Sequence, residues 1–207
     1  MTKLPPPISL QNRYYGFRHG QSEANVLNKI ISDPKVGTKR FGLSDAGRKQ
    51  VIESVRANRA VLERAVLYSS DFLRAKETAE VIAETIKSGP RSSESIHFDR
   101  RLRERFFGDF DGGDHEAYVR VWSADRQSAK DSKNGVEPVI HVAERVSALV
   151  RELEKEMTGR DIVLVAHGDP LQITETWMQG DELENHRAHQ FDTAEVRPLN
   201  PAGGNDV

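Results

Sequence analysis

The sequence predicts an α/β fold, a three-layer sandwich in which helices cover both faces of a mainly parallel central sheet. Short apolar runs alternate with amphipathic stretches of helical spacing, the pattern of parallel strands joined by crossover helices. The chain has 207 residues, of which 37% are hydrophobic and 30% charged, and this length can bury a sizeable core. We therefore expect one domain over residues 1–207, with loose termini at about 1–12 and 201–207.

Four segments are strand candidates, because each is a short apolar run bounded by polar or turn-forming residues. Three of them have the composition of buried strands, whereas the fourth, near the end of the chain, suits the edge of a sheet. In chain order they are Tyr14–Phe17 (YYGF), Ala65–Ser70 (AVLYSS), Asp161–Ala166 (DIVLVA) and Ala194–Leu199 (AEVRPL).

Three segments between these strands have the apolar spacing of helices that cover a sheet. The first runs over Ser44–Leu62, and Ser44 is a residue type that caps helix N-termini. The second runs over Asp71–Ile86 and the third over about Pro138–Met157. The polar segments 88–95 and 123–138 are rich in residues that break helices and strands, so we expect surface loops there.

Composition limits the possible classes of function. With 30 basic and 32 acidic residues, the formal net charge of −2 provides no general field that would attract nucleic acid or an anionic membrane. The chain has no cysteine, and no apolar run approaches the roughly 20 residues that span a bilayer. The opening MTKLPPPISLQN lacks the apolar core of a signal peptide, so we predict a cytoplasmic location.

Basic side chains follow three of the predicted strands. Arg18 and His19 come directly after the first strand, and Arg74 lies four residues beyond the second. His167 and Gly168 follow the third. Ligands of an open parallel sheet bind beyond the carboxyl ends of its strands, so we expect these side chains to converge. Two arginines and two histidines around one hollow indicate an anion site.

The segment Arg101–Gly113 (RLRERFFGDFDGG) adds a carboxylate, Glu104, to this anion site. A phosphoryl group suits the set, because arginine forks hold its oxygens and a neutral imidazole can attack phosphorus. His186 and His189 have a spacing that would allow a shared metal, but no third ligand stands at a recognised spacing. We therefore predict no metal and no cofactor.

Five motifs resemble, in order, those of the histidine phosphatase superfamily, which includes the cofactor-dependent phosphoglycerate mutases and acid-phosphatase relatives. The resemblance implies a phosphoglycerate mutase-like fold and phosphomonoester hydrolysis without a metal. The motifs are RHGQSEAN (18–25), SSDFLRAKETAE (69–80), RLRERFFGDFDG (101–112), GVEPVIHVAERV (135–146) and VAHGDP (165–170).

Carried over residue by residue, the resemblance implies that His19 is the nucleophile that becomes phosphohistidine. Glu104 would protonate the leaving oxygen and later activate water. Arg18, Arg74 and His167 would bind the phosphoryl oxygens, and His167 serves best in its charged form.

Four further residues are candidates for substrate binding: Asn25, Gln21, Gly168 and Arg105. Asn25 and Gln21 also suit local bonding at a helix start, and Arg105 is the preferred choice among several neighbouring arginines. Arg74 would otherwise be one half of a solvated surface ion pair. The motif context favours function over the structural alternative for Arg74 and Asn25, whereas both interpretations stay open for Gln21.

Three departures from the family pattern leave the substrate open. Gln21 stands where many members have Glu, Pro138 and His141 replace a Ser and an Asp, and Asp169 with Pro170 follow the second His-Gly pair. The expected partner is therefore only a small-molecule phosphomonoester, and the oligomeric state stays open.

Two alternatives to a phosphatase are a phosphoglycerate mutase and a non-catalytic scaffold on the same fold. A phosphoglycerate mutase would share the whole catalytic set, but the 63 positions from Glu104 to His167 are fewer than the long insertion of the family's mutases implies. A non-catalytic scaffold that binds phosphorylated ligands predicts damage to the set, and none is seen. The sequence thus favours a phosphatase that acts on a small phosphorylated metabolite.

Overall fold

The computed structural model describes residues 1–5, 9–86 and 96–200. Within these ranges the chain forms one five-stranded sheet flanked by helices. In chain order the strands are β1 (Arg13–Arg18), β2 (Val66–Ser69), β3 (Ile96–Phe98), β4 (Asp161–Ala166) and β5 (Val196–Pro198).

The strands lie in the order β3-β2-β4-β1-β5, and only the edge strand β5 runs antiparallel to its neighbour. The four predicted strands are confirmed, including the edge position of the last. Strand β3 at the opposite edge was not predicted. It has only three residues, and two of them are exposed, so it lacks the apolar run that marks the other strands.

Eight α-helices occur in the described ranges, together with three 3-10 helices at Arg100–Leu102, Gly108–Phe110 and Leu183–Ala188. The α-helices are α1 (Glu23–Val26), α2 (Pro34–Gly37), α3 (Asp45–Ala57), α4 (Arg59–Leu62), α5 (Leu73–Ile86), α6 (Ala117–Asp125), α7 (Val139–Glu156) and α8 (Gly168–Met178). In these ranges no helix has both the length and the apolar composition needed to cross a membrane.

The predicted helices differ from the observed ones mainly at their boundaries. Ser44 caps α3 as expected, since its hydroxyl accepts a hydrogen bond from Gly47 N at 3.0 Å. The predicted helix Ser44–Leu62 is divided into α3 and α4 at Asn58, whose side-chain Nδ2 donates a hydrogen bond to Ser54 O. Helices α6 and α8 were not predicted, and α6 takes up the first residues of the expected loop 123–138. The expected loop 88–95 and loose tail 201–207 lie outside the described residues.

The expectation of a loose terminus at 1–12 is wrong at two positions, Thr2 and Asn12, which are both buried. The Thr2 backbone N donates to Glu184 Oε2 at 2.9 Å. Asn12 Nδ2 donates to Glu154 Oε1 at 2.7 Å and to Met157 O at 2.8 Å, so it binds the end of α7. These bonds compensate the burial of polar groups, which composition alone does not predict.

Side chains of the central strand β4 point alternately into two apolar cores, as strand geometry requires. Ile162 and Leu164 pack with residues of α7 and α8, whereas Val163 and Val165 pack with residues of α3 and α5. The two cores lie on opposite faces of the sheet. This arrangement confirms the three-layer α/β/α sandwich.

The register of the central strands places their carboxyl ends side by side. Arg18 on β1 is level with Ala166 on β4, and the His19 backbone N donates to Ala166 O at 3.0 Å. His19 and His167 therefore leave the sheet at the same level. Gly47 lets α3 approach the turn after His19 closely, since a Cβ there would lie 2.0 Å from Gln21 O.

Candidate active site

His19 is buried at the end of β1 and has a defined tautomer. Its Nδ1 lies 2.7 Å from Gly20 O, which can only accept, so Nδ1 carries the proton and Nε2 carries the lone pair. Nε2 accepts a hydrogen bond from Arg74 Nε at 3.0 Å. Burial, together with the positive charges of Arg74 and Arg18, holds the pKa of His19 well below its usual value. The site thus contains a neutral imidazole whose Nε2 can act as a nucleophile.

Unpartnered hydrogen-bond donors are concentrated around this imidazole. Across the described ranges, four buried side-chain nitrogens lack a hydrogen-bond partner: Arg18 Nε, Arg74 Nη1, His167 Nδ1 and His186 Nδ1. The first three belong to the predicted set, and the ring centroids of His19 and His167 are 5.2 Å apart. A buried donor without a partner costs about 1–3 kcal/mol, so such groups are rare unless a ligand supplies the acceptor. The three donors therefore indicate an anion site.

His167 is fully buried, and its environment differs from the expected one. Burial and the nearby Arg74 guanidinium lower the pKa of His167 well below its usual value, which favours a neutral imidazole in the unliganded site, whereas the sequence-based expectation is that His167 serves best in its charged form. His167 Nε2 lies 3.0 Å from Ser70 Oγ. If that hydroxyl donates to Nε2, the proton of His167 lies on Nδ1, the unpartnered nitrogen. Sequence reasoning assigned no role to Ser70, although it directly follows β2 and lies within the motif at 69–80.

Glu104 is nearly buried next to the two basic groups. Its Oε2 lies 3.5 Å from Arg74 Nη2 and 3.8 Å from His167 Nδ1. Burial raises the pKa of Glu104 to about 7, and the charge of Asp169 adds to this shift while Arg74 opposes it. A carboxyl group with such a pKa can donate a proton near neutral pH and can also accept one.

Two adjoining cavities meet at these residues. The inner chamber has a volume of about 30 Å³ and is lined by His19 and Arg74, among others. The outer chamber is larger, about 260 Å³, and extends past Gly168. Both are lined by Arg18, Asn25, Glu104 and Tyr118. Glu104 therefore stands at the boundary between a small basic chamber and a wider polar one.

Two of the four candidate substrate-binding residues line these chambers. Gly168 lines the outer chamber at the start of α8. Asn25 lines both chambers, and its Oδ1 also accepts hydrogen bonds from Ser22 N and Ser22 Oγ, each at 2.9 Å. The helix-start interpretation of Asn25 is therefore correct, and the same residue also lines both chambers.

The other two candidates, Gln21 and Arg105, line neither chamber. Gln21 Oε1 accepts a hydrogen bond from Ser44 Oγ at 2.8 Å at the start of α3. Arg105 is 1% exposed and holds Asp125 through two bonds of 2.7 and 2.8 Å and Asp169 at 3.2 Å. Both side chains make structural contacts and neither lines a chamber, so the geometry does not support their interpretation as substrate-binding residues.

The outer chamber is lined largely by residues that the sequence did not single out. Many of them lie on α6, on α8 or in the segment that follows α8, and neither helix was predicted. They include Trp122, Gln172, Arg187 and Phe191.

The two histidines considered as metal ligands bind different partners. His186 Nε2 lies 3.3 Å from Asp125 Oδ2, whereas His189 Nδ1 lies 3.2 Å from Glu175 Oε1. No cluster of three or more His, Asp or Glu side chains suited to a metal ion occurs in the part of the chain that the structure describes.

Comparisons with known proteins agree on one family. The model of the histidine phosphatase superfamily (branch 1) matches residues 15–206. A glucosyl-3-phosphoglycerate phosphatase of Mycolicibacterium vanbaalenii is 33% identical over 182 residues, which cover 82% of this chain and 75% of that protein. A metal-independent phosphoserine phosphatase of Arabidopsis thaliana is 29% identical over 164 residues, which cover 75% of this chain and 63% of that protein.

A solved structure shows the same fold. The mycobacterial glucosyl-3-phosphoglycerate phosphatase in complex with VO3 aligns with a TM-score of 0.71 at 27% identity. The alignment covers 89% of this chain and 90% of that chain.

We expect Glu104→Gln to stabilise the folded protein at pH 8 and to leave its stability at pH 4 almost unchanged. The pKa of Glu104 is about 7 in the folded state, against an ordinary value of 4.5. Between pH 4.5 and pH 7 the folded protein therefore keeps the proton of this carboxyl group, whereas the unfolded chain releases it. The free energy of unfolding of the unmodified protein therefore falls as pH rises from 4.5 to 7. Glutamine has no proton to release, so the variant lacks this loss.

Urea denaturation at pH 4, 6 and 8 measures the effect. Glu53→Gln, the same replacement at an exposed position of α3, is the matched control and is expected to change stability by less than about 0.5 kcal/mol at each pH. Equal effects of Glu104→Gln at pH 4 and pH 8 would show that its carboxyl group is not protonated by its environment.

Proposed function

On the premise that this chain belongs to the histidine phosphatase superfamily, we propose that it hydrolyses small phosphomonoesters through a phosphohistidine at His19. Two of its relatives are named as phosphatases of small phosphorylated metabolites, glucosyl-3-phosphoglycerate and phosphoserine. The observation that carries the proposal is the group of three unpartnered donors, on Arg18, Arg74 and His167, next to the neutral imidazole of His19.

In the first step, the substrate's phosphoryl group occupies the inner chamber. Its oxygens accept hydrogen bonds from Arg18 Nε and Arg74 Nη1, on two residues that line the chamber, and from His167 Nδ1, which lies 3.8 Å from Glu104 Oε2. None of the three nitrogens has a hydrogen-bond partner among the described residues. The hydrogen bond from Arg74 Nε to His19 Nε2 breaks, and the freed Nε2 lone pair forms a bond to phosphorus while the bond from phosphorus to the leaving oxygen breaks. Glu104, at the chamber boundary, gives its proton to that oxygen.

In the second step, water replaces the leaving group at the chamber boundary. Glu104, now a carboxylate, accepts a proton from the water as its oxygen attacks phosphorus and the bond to His19 Nε2 breaks. The products are inorganic phosphate, a neutral His19 and a protonated Glu104. Gly20 O holds the Nδ1 proton throughout, which keeps Nε2 directed at phosphorus.

The chemistry of the inner chamber supports a reaction without a metal ion. The negative charge that develops on the phosphoryl oxygens can be balanced by the guanidinium groups of Arg18 and Arg74, and the leaving oxygen receives a proton from Glu104. We therefore propose that the protein needs no metal and no cofactor.

The outer chamber accommodates the leaving group. Its volume of about 260 Å³ suits a small organic group, so a small-molecule phosphomonoester is the proposed partner. The match over residues 15–206 and the single sheet support the proposal of one domain, and the cytoplasmic location stays a prediction from the sequence.

The proposal predicts that Glu104→Gln affects substrates according to their leaving groups. For an alkyl phosphate, loss of the general acid is expected to lower kcat/KM by roughly 10² to 10⁴-fold. For p-nitrophenyl phosphate the effect on kcat/KM is expected to be at least about tenfold smaller, because a nitrophenolate leaves without a proton. Steady-state rates on both substrates measure the difference.

His19→Ala is the comparison variant, since it removes the nucleophile and is expected to eliminate turnover of both substrates. Circular dichroism and melting curves check that each variant is folded. An equal loss on the two substrates in Glu104→Gln would contradict the general-acid role.

The phosphoglycerate mutase alternative is tested separately. A mutase must exclude water while the phosphorylated enzyme transfers its group to a second hydroxyl. We expect phosphate release from a good monoester to exceed interconversion of 3- and 2-phosphoglycerate by at least about tenfold, or about 1.4 kcal/mol in barrier. Phosphate release and isomer formation are followed in parallel assays. Interconversion that needs a bisphosphoglycerate primer and outpaces every hydrolysis would favour the mutase.

A further inference from the structure

One wall of the outer chamber is a stack of planar side chains that ends in an arginine. The rings of Tyr118 and Trp122 on α6 are nearly parallel, with centroids 4.9 Å apart. The Arg187 guanidinium carbon lies 3.5 Å from the centroid of the Trp122 ring. Guanidinium groups stack well on aromatic rings, so Trp122 holds the plane and position of Arg187.

The hydrogen bonds of Arg187 leave one edge of its guanidinium group free. Nη1 donates to Gln172 Oε1 at 2.7 Å. Nε and Nη2 donate to none of the residues in the ranges 1–5, 9–86 and 96–200, and no carboxylate there pairs with Arg187. The free edge therefore presents two parallel donors from a half-buried, fixed group on the chamber wall.

The charges around Arg187 favour a ligand with one negative charge. Asp169 is held by Arg105 at 3.2 Å and by Trp122 Nε1 at 3.1 Å, so its charge is already compensated. The raised pKa of Glu104, about 7, keeps much of that group neutral near pH 7. Asp192 also lines the chamber and would repel a second phosphoryl group, with its two charges, more than a carboxylate.

We propose that Arg187 is a specificity-determining residue that binds a carboxylate on the leaving group, so the preferred substrates are phosphorylated small acids. The Nε and Nη2 donors match the two oxygens of a carboxylate in a side-on pair. This assignment rests on the proposed function, since it takes the outer chamber as the leaving-group site. Phosphoserine and glucosyl-3-phosphoglycerate, which appear in the names of two relatives, both carry such a carboxylate.

A pair of ligands that differ only in this group tests the proposal. In 3-phosphoglycerate a carboxylate stands where glycerol 3-phosphate has a hydroxymethyl group. Both are used as competitors of p-nitrophenyl phosphate hydrolysis, and their inhibition constants are compared. We expect 3-phosphoglycerate to bind the unmodified protein at least about tenfold more tightly, as for a charge-assisted bidentate contact.

Substitution of Arg187 is expected to remove this preference. Arg187→Met keeps a side chain over Trp122 but has no donor, so the ratio of the two inhibition constants should fall to within about twofold of one. Arg187→Lys keeps the charge without the planar fork and should retain part of the preference. The matched control is Arg126→Met, which removes the charge of an exposed arginine outside the chamber and should leave the ratio unchanged.

Each result decides between distinct accounts. A similar weakening of both ligands in Arg187→Met would mean that Arg187 only supports the chamber wall and would overturn the proposal. A loss of preference in Arg126→Met as large as in Arg187→Met would assign the preference to long-range charge and would also overturn it. If the unmodified protein fails to hydrolyse p-nitrophenyl phosphate at all, the proposed function fails. If it hydrolyses this substrate but binds the two competitors equally tightly, only the role of Arg187 is overturned.

Discussion

Two guanidinium groups, the half-buried one of Arg18 and the buried one of Arg74, determine the properties of this site because each has too few hydrogen-bond partners. Arg18 and Arg74 each have a buried nitrogen without an acceptor in the described structure, and both lie next to imidazoles that are kept neutral. This arrangement costs folding free energy, because the donors lose water and gain nothing in return. The same cost makes the site ready for an anion, whose oxygens supply the missing acceptors. The unliganded protein is therefore less stable than it would be with these donors paired, a cost that is usual at active sites.

The neutral His19 and the protonated Glu104 follow from the same environment. Burial disfavours the charged form of both groups, and the arginines act in the same direction on His19 and in the opposite direction on Glu104. A second ion network lies behind this one: Arg105 fixes Asp169 and Asp125, and the Arg105 backbone N donates to Glu104 Oε1 at 3.0 Å. Glu104, the proposed general acid, is thus held in position by the backbone of Arg105, whose side chain lines neither chamber.

Much of this arrangement could be predicted from the sequence, and the misses have physical causes. Strand ends carry a clear signal, so the convergence of Arg18, His19, Arg74 and His167 followed from apolar runs and parallel topology. The directions of side chains such as Arg105 and Gln21 cannot be predicted in this way. The ion pairs of Arg105 and the hydrogen bond of Gln21 depend on partners that lie 20 or more positions away in the chain. Part of the outer chamber could not be predicted either, since Trp122 and Gln172 come from two helices whose apolar residues have no clear spacing.

The central claim is that His19 carries the phosphoryl group between the two steps. Its most direct test is rapid mixing of Glu104→Gln with p-nitrophenyl phosphate, base quenching, and mass spectrometry that locates the phosphoryl group. The first step needs little acid catalysis with this substrate and the second lacks its general base, so phosphohistidine should accumulate at Nε2 of His19 before steady turnover. Release of nitrophenol and phosphate together with no phosphorylated enzyme, or a phosphoryl group on another residue such as His167, would contradict the account.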